Sequence, residues 1–157
     1  NSTADLRAAL TSDVSSLKPT VNALAPYGLT ATAAGIYLGS TLLPASDSDD
    51  RARLLVLFTD GYANVADGCT VNSPGGLTNC AMLAASTAAT AVKDKGIIVA
   101  VVGLGLSSNP VYEAIAQSWA TCPSLYFSVD DANNLPPIFG ALRINVCLDP
   151  CGSGSGA

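Results

Sequence analysis

The sequence predicts an α/β protein, a mostly parallel β-sheet between two layers of helices. Two runs carry that expectation: Arg53 to Phe58 and Ile97 to Val102 hold apolar residues at successive positions instead of alternating ones, as suits strands covered on both faces. A third, shorter run at Leu125 to Val129 and the helix-like stretches between the runs make strand and helix alternate. That order implies parallel strands joined by right-handed crossovers.

Each element has its own signals. In "LTSDVSSLKPTVNALAPYG" Thr11 or Ser12 can cap a helix with apolar Val14, Leu17, Val21 and Leu24 at helical spacing, and Pro19 must kink it or begin a second turn. Ala31 to Leu43 is Ala-rich and stops at Pro44; Ala81 to Lys95 stops at Gly96 with Lys93 and Lys95 in its last turn. Val111 to Ala120 follows Asn109-Pro110, a cap and first-turn pair. A final helix is expected after Asp131, with Pro136 and Pro137 near its start and Ile138, Phe139 and Leu142 facing inward. Trp119 and Tyr112 read as core or half-buried packing. One domain over residues 1–147 follows, and residues 148–157, ending in "CGSGSGA", read as a flexible tail or linker.

Composition narrows the function. A chain of 157 residues, 49% hydrophobic with a mean hydropathy of +0.40, has material for one core. Twelve acidic against seven basic residues give a net charge of -5 with no basic cluster, so nucleic acid is a poor partner. No apolar run approaches the roughly 20 residues of a membrane helix, and nothing at Asn1 resembles a signal peptide, so the chain reads as soluble. Five cysteines in so small a chain point to an oxidising compartment outside the cell. Cys69 and Cys80 bracket the loop "CTVNSPGGLTNC" and are the expected pair; Cys122, Cys147 and Cys151 leave one thiol over, free or joined to another chain. Asn1-Ser2-Thr3 matches a glycosylation acceptor, a short pattern without meaning in a bacterial cytoplasm.

In an open parallel sheet, ligands gather beyond the carboxyl ends of the strands. Asp60 ends the strand of "LLVLFTDGYAN" with Gly61 behind it, while Gly28 and Thr30 lie in the loop before the helix of "GLTATAAGIYLG". The plain reading makes Thr30 a helix cap and Asp60 a turn residue. Taken together, "YGLTATAAGIYLGSTLL", "RARLLVLFTDGYAN", "KDKGIIVAVVGLG" and "LYFSVDDANNL" resemble the von Willebrand factor type A domains, especially those of tight-adherence pilus assembly proteins and related bacterial surface proteins. The resemblance spans residues 10–144 and implies a metal-ion-dependent adhesion site. Thr30 would be its threonine ligand and Asp60 its third-loop aspartate, holding Mg²⁺, or Ca²⁺ or Mn²⁺, directly or through water. Gly61 would let the backbone turn sharply behind Asp60, and Tyr62 in the same loop would meet a protein partner.

The family's Asp-x-Ser-x-Ser loop is not found at a strand end: "SDSDD" at 46–50 falls in a spacer and "DVSS" at 13–16 inside a helix. The pattern therefore reads as the C-terminal two thirds of the domain, truncated at its N-terminal end and lacking two strands and the helix between them. A strand as apolar as "LLVLF" is a hazard at a bare sheet edge. Another polypeptide or an N-terminal segment is expected to supply the neighbouring strand, the serine ligands and a partner for the odd cysteine.

Three other functions compete with this one. A dinucleotide-binding enzyme has support in Gly103-x-Gly105 after a strand and in Asp130, but Ser108 replaces the third glycine and Asn109-Pro110 postpones the helix. A hydrolase is disfavoured because the chain has no histidine, which removes a Ser-His-Asp triad and His-ligated zinc, and the Asp49-Asp50 and Asp130-Asp131 pairs read as solvated loop acids. A structural subunit of a surface filament or layer, with a vestigial ion site and strand addition between chains, is the serious alternative. The preferred reading is a non-enzymatic adhesion or assembly module, extracellular or at the cell surface.

Overall fold

The computed structural model describes residues 3–25, 28–44, 52–70, 72, 73, 75–148 and 151. The helices are α1 (Val14–Asn22), α2 (Thr32–Thr41), α3 (Gly76–Lys93), α4 (Pro110–Trp119) and α5 (Leu135–Leu148), and the strands are β1 (Leu54–Thr59), β2 (Ile98–Leu104) and β3 (Tyr126–Val129). The strands form one sheet in the order β1-β2-β3. Both pairings are parallel, Leu54 opposite Ile98 through Thr59 opposite Gly103, and Val101 opposite Tyr126 through Leu104 opposite Val129. This is the expected α/β architecture.

The strands differ in burial as their places require. Val99, Ala100, Val101 and Val102 of the central β2 are fully buried, which is why that run can be apolar at every position. Leu54, Leu55, Val56 and Leu57 of β1 are only half-buried and Phe58 is 42% exposed. Among the described residues, no strand pairs with the outer edge of β1. That edge is the side on which the sequence leads one to expect a neighbouring strand.

Helix α3 supplies much of the core through small residues: Ala81, Ala85, Ala88, Ala89 and Val92 are buried together with Ile36 of α2 and Ala116 and Trp119 of α4. Alanines let α3 approach α2 and α4 closely. The Trp119 indole N–H donates to Ser86 Oγ at 2.9 Å, so its one polar atom is satisfied inside the core.

Several local expectations need correction. The cap of α1 is Asp13, whose carboxylate accepts from the Ser15 N–H at 3.0 Å, and not Thr11 or Ser12; Thr11 instead accepts from the Asp13 N–H. Pro19 lies within α1 without ending it, and no residue of α1 is buried. Val14, Val21 and Leu24 face solvent, because helical spacing fixes which residues share a face but not whether anything covers it. Helix α3 starts at Gly76, not Ala81: Gly75, at φ +74°, turns the chain into the helix inside the loop closed by Cys80. In α5, Leu142 is buried and Ile138 packs on the core, but Phe139 is 53% exposed and lies against Phe58, ring centroids 5.8 Å apart. The "SDSDD" spacer, Asn1, Ser2 and the tail after Cys151 fall outside the described residues.

Candidate functional site

The carboxyl end of β1 is built by its last residue. Thr59 is buried and donates its hydroxyl to the Gly61 carbonyl at 3.0 Å. This folds the chain over Asp60 and leaves that side chain exposed. Gly61 lies in this bend with a φ outside the left-handed region, and a Cβ there would meet nothing within 4 Å. The Thr59 hydroxyl bridges the turn. Gly28, in the loop before α2, does occupy the left-handed region at φ +86°.

The next three residues each fasten the loop to a different neighbour. The Tyr62 hydroxyl accepts from Asn109 Nδ2 at 3.2 Å, and its ring packs on Tyr112 with centroids 3.7 Å apart. The fully buried Ala63 donates its N–H to the Met82 sulfur of α3 at 3.2 Å. Asn64 reaches the loop before α2: its Oδ1 accepts from the Thr30 N–H at 2.7 Å and its own N–H donates to the Thr30 carbonyl at 3.0 Å. The Val65 N–H shares that carbonyl at 3.4 Å. The loops bearing Thr30 and Asp60 are therefore tied into one surface.

Thr30 is exposed and does not cap α2; Ala31 holds the cap position, with no side-chain hydrogen bond. Its hydroxyl and the Asp60 carboxylate thus lie on joined loops, both open to solvent. They offer two hard-oxygen donors, and no group of three His, Cys, Asp or Glu side chains able to hold a metal occurs among the described residues. Two such donors do not fit an octahedral ion by themselves, which needs further oxygens beyond its waters.

The residues that a nucleotide-binding site would use have structural partners instead. A Cβ on Gly103 would come within 2.7 Å of the Tyr126 hydroxyl and 2.9 Å of Leu106 Cδ1, so glycine is there to admit neighbouring side chains. Asp130 accepts from the Ser107 hydroxyl at 2.6 Å, tying β3 to the turn after β2. Glu113, in the first turn of α4, was not legible from sequence; it accepts from the Ser128 hydroxyl at 2.7 Å and the Tyr126 hydroxyl at 3.4 Å. Burial, and then the Glu113 charge, raise the Tyr126 phenol above its usual range, which keeps it protonated as a donor. Disulfides join Cys69 to Cys80 and Cys122 to Cys151. No described helix is long and apolar enough to cross a membrane.

A parallel α/β sheet with a strand ending in Thr59-Asp60-Gly61, its loop fastened to the threonine loop before α2, defines a class of domain that presents loops at one sheet end. The chain belongs to the von Willebrand factor type A domain family, whose family model matches residues 1–141. A comparison with curated proteins gave no match. Among solved structures, the chain is similar to the pilus adhesin SpaC from Lactobacillus rhamnosus GG, with a TM-score of 0.64 and 19% identity to its open conformation. A second crystal form of that adhesin gives 0.62 and 20%. Each alignment covers 85% of this chain and 21% of the adhesin, so the chain spans about a fifth of that protein's length. At such identity the likeness concerns the fold.

Proposed function

We propose that this chain is part of a non-enzymatic adhesion or assembly module at the cell surface, meeting a protein partner with the loops of Thr30, Asp60 and Tyr62. The observation that carries this reading is the fastening of the Thr30 loop to the Asp60 loop through Asn64, since loops held rigid before contact lose little entropy on binding. Two disulfides support a location outside the reducing cytosol. A fold shared with a pilus adhesin supports the surface assignment. The absence of histidine leaves no Ser-His-Asp or His-zinc chemistry to the chain.

In this reading a divalent ion, Mg²⁺ or else Ca²⁺ or Mn²⁺, joins Thr30 and Asp60 when a neighbouring strand brings further oxygens. The ion would supply an open coordination position for a partner's carboxylate. Binding to bacterial or host surface protein, measured with and without chelator, tests it. Loss of binding with chelator and in Asp60→Ala is expected; binding indifferent to both would reject the ion-dependent reading.

One observation favours a second reading. The outer edge of β1 is apolar and unpaired among the described residues, with Phe58 exposed beside Phe139. A structural subunit could add a strand there between chains, forming a filament or layer without any ion. Association indifferent to chelator and abolished by a charge at Phe58 would support this scaffold instead.

A further inference from the structure

We infer that Asn64 is the positioning residue of this surface, a latch that sets where Thr30 stands relative to Asp60. The inference rests on the reading that these two loops form the contact surface, and it assigns a role that the family pattern around Thr30 and Asp60 does not state.

The geometry is that of a short piece of sheet made by one side chain. Asn64 Oδ1 takes the Thr30 N–H at 2.7 Å while the Asn64 N–H gives to the Thr30 carbonyl at 3.0 Å. Both polar groups of the Thr30 main chain are thus held by a single residue 34 positions away. A carboxamide oxygen on a two-bond stem has few rotamers, so the amide it accepts from is held in direction as well as distance.

The latch is anchored from behind. Ala63, next in the chain, is fully buried and bonded to Met82 of α3, and Tyr62 before it is held by Asn109 and Tyr112 of α4. Asn64 therefore reaches out from a fixed base. On the other side, the Thr30 N–H has no second acceptor among the described residues, its carbonyl has only the longer Val65 N–H at 3.4 Å besides, its side chain makes no cap to α2, and Gly28 two positions earlier is in the left-handed region. Without the Asn64 carboxamide, the Thr30 loop would loosen while Asp60, fixed by the Thr59 turn, stayed in place.

The test uses two variants of the full 157-residue chain. Asn64→Ala removes the acceptor but keeps the backbone donor; Asn64→Asp keeps an oxygen at the same place and should rescue. Amide hydrogen exchange at Thr30 is expected to quicken about tenfold in Asn64→Ala, as befits one lost hydrogen bond. Asn64→Asp and the slow amides of β2 should keep the parent rates. Unchanged exchange at Thr30 in Asn64→Ala, or equal acceleration in both variants, would overturn the latch.

A second readout bears on position instead of stability. The amide chemical shifts of residues 28–31 should move in Asn64→Ala and return in Asn64→Asp, while those of Thr59, Asp60 and Gly61, held by the Thr59 hydroxyl, keep the parent values. Parent shifts at Thr30 in Asn64→Ala, or equal movement at Asp60, would also overturn the positioning role. Binding of the chain to a partner in the presence of chelator tests the contact-surface reading separately, since neither the exchange rates nor the shifts depend on it.

Discussion

At the scale of single residues, the end of β1 shows how little of a site is local. Asp60 and Thr30 were legible because an acid after an apolar strand and a threonine before an Ala-rich helix match a pattern. Asn64 was not, since its meaning lies in a residue 34 positions away that no window contains. Glu113 was missed for the same reason: Ser128 and Tyr126 reach it from another element. The two glycines of these loops differ: Gly28 has a positive φ, and Gly61 does not, its turn being bridged by the Thr59 hydroxyl. Gly28→Ala is therefore expected to cost about 1–2 kcal/mol in urea denaturation, the penalty of a Cβ in the left-handed region. Gly61→Ala, whose Cβ meets no atom within 4 Å, should change stability by less than about 0.5 kcal/mol.

At the scale of elements, burial separates what a pattern can tell from what it cannot. Strands β1 and β2 look alike in sequence, but among the described residues β2 is paired on both edges and β1 on one. Helix α1 has its apolar stripe and nothing of it buried, so its stability depends on its ends. The Ser15 hydroxyl, donating to Asp13, holds that carboxyl below its ordinary 3.8. A lowered folded value means the cap contributes in full above 3.8 and is lost as pH falls through the lowered value. The Cα chemical shifts of residues 14–17 should accordingly lose helical character on acidification below that range, and Asp13→Ala should show the frayed shifts at neutral pH. The Cys69–Cys80 bridge, by contrast, ties the loop to the first turns of α3 across 11 positions. Replacing both with serine should lower the unfolding free energy by about 3 kcal/mol in a denaturant titration, from the freed loop entropy.

At the scale of the whole molecule, the alternation of strand and helix was enough to give the α/β class and its parallel sheet, because long apolar runs and helix punctuation are strong signals. The absence of an Asp-x-Ser-x-Ser strand end led to the expectation of a further strand beside β1, and among the described residues none pairs with that edge. Both functional readings rest on one claim, that β1 belongs inside a larger sheet: the ion site needs oxygens from a neighbouring strand, and the scaffold needs strand addition. A hydrophobic edge with no charge or proline along Leu54–Thr59 is a template for association. Sedimentation velocity of the purified chain over a range of concentrations tests this most directly. The account predicts that mass rises with concentration above the 15.7 kDa of one chain; a stable, well-folded monomer at every concentration would contradict it.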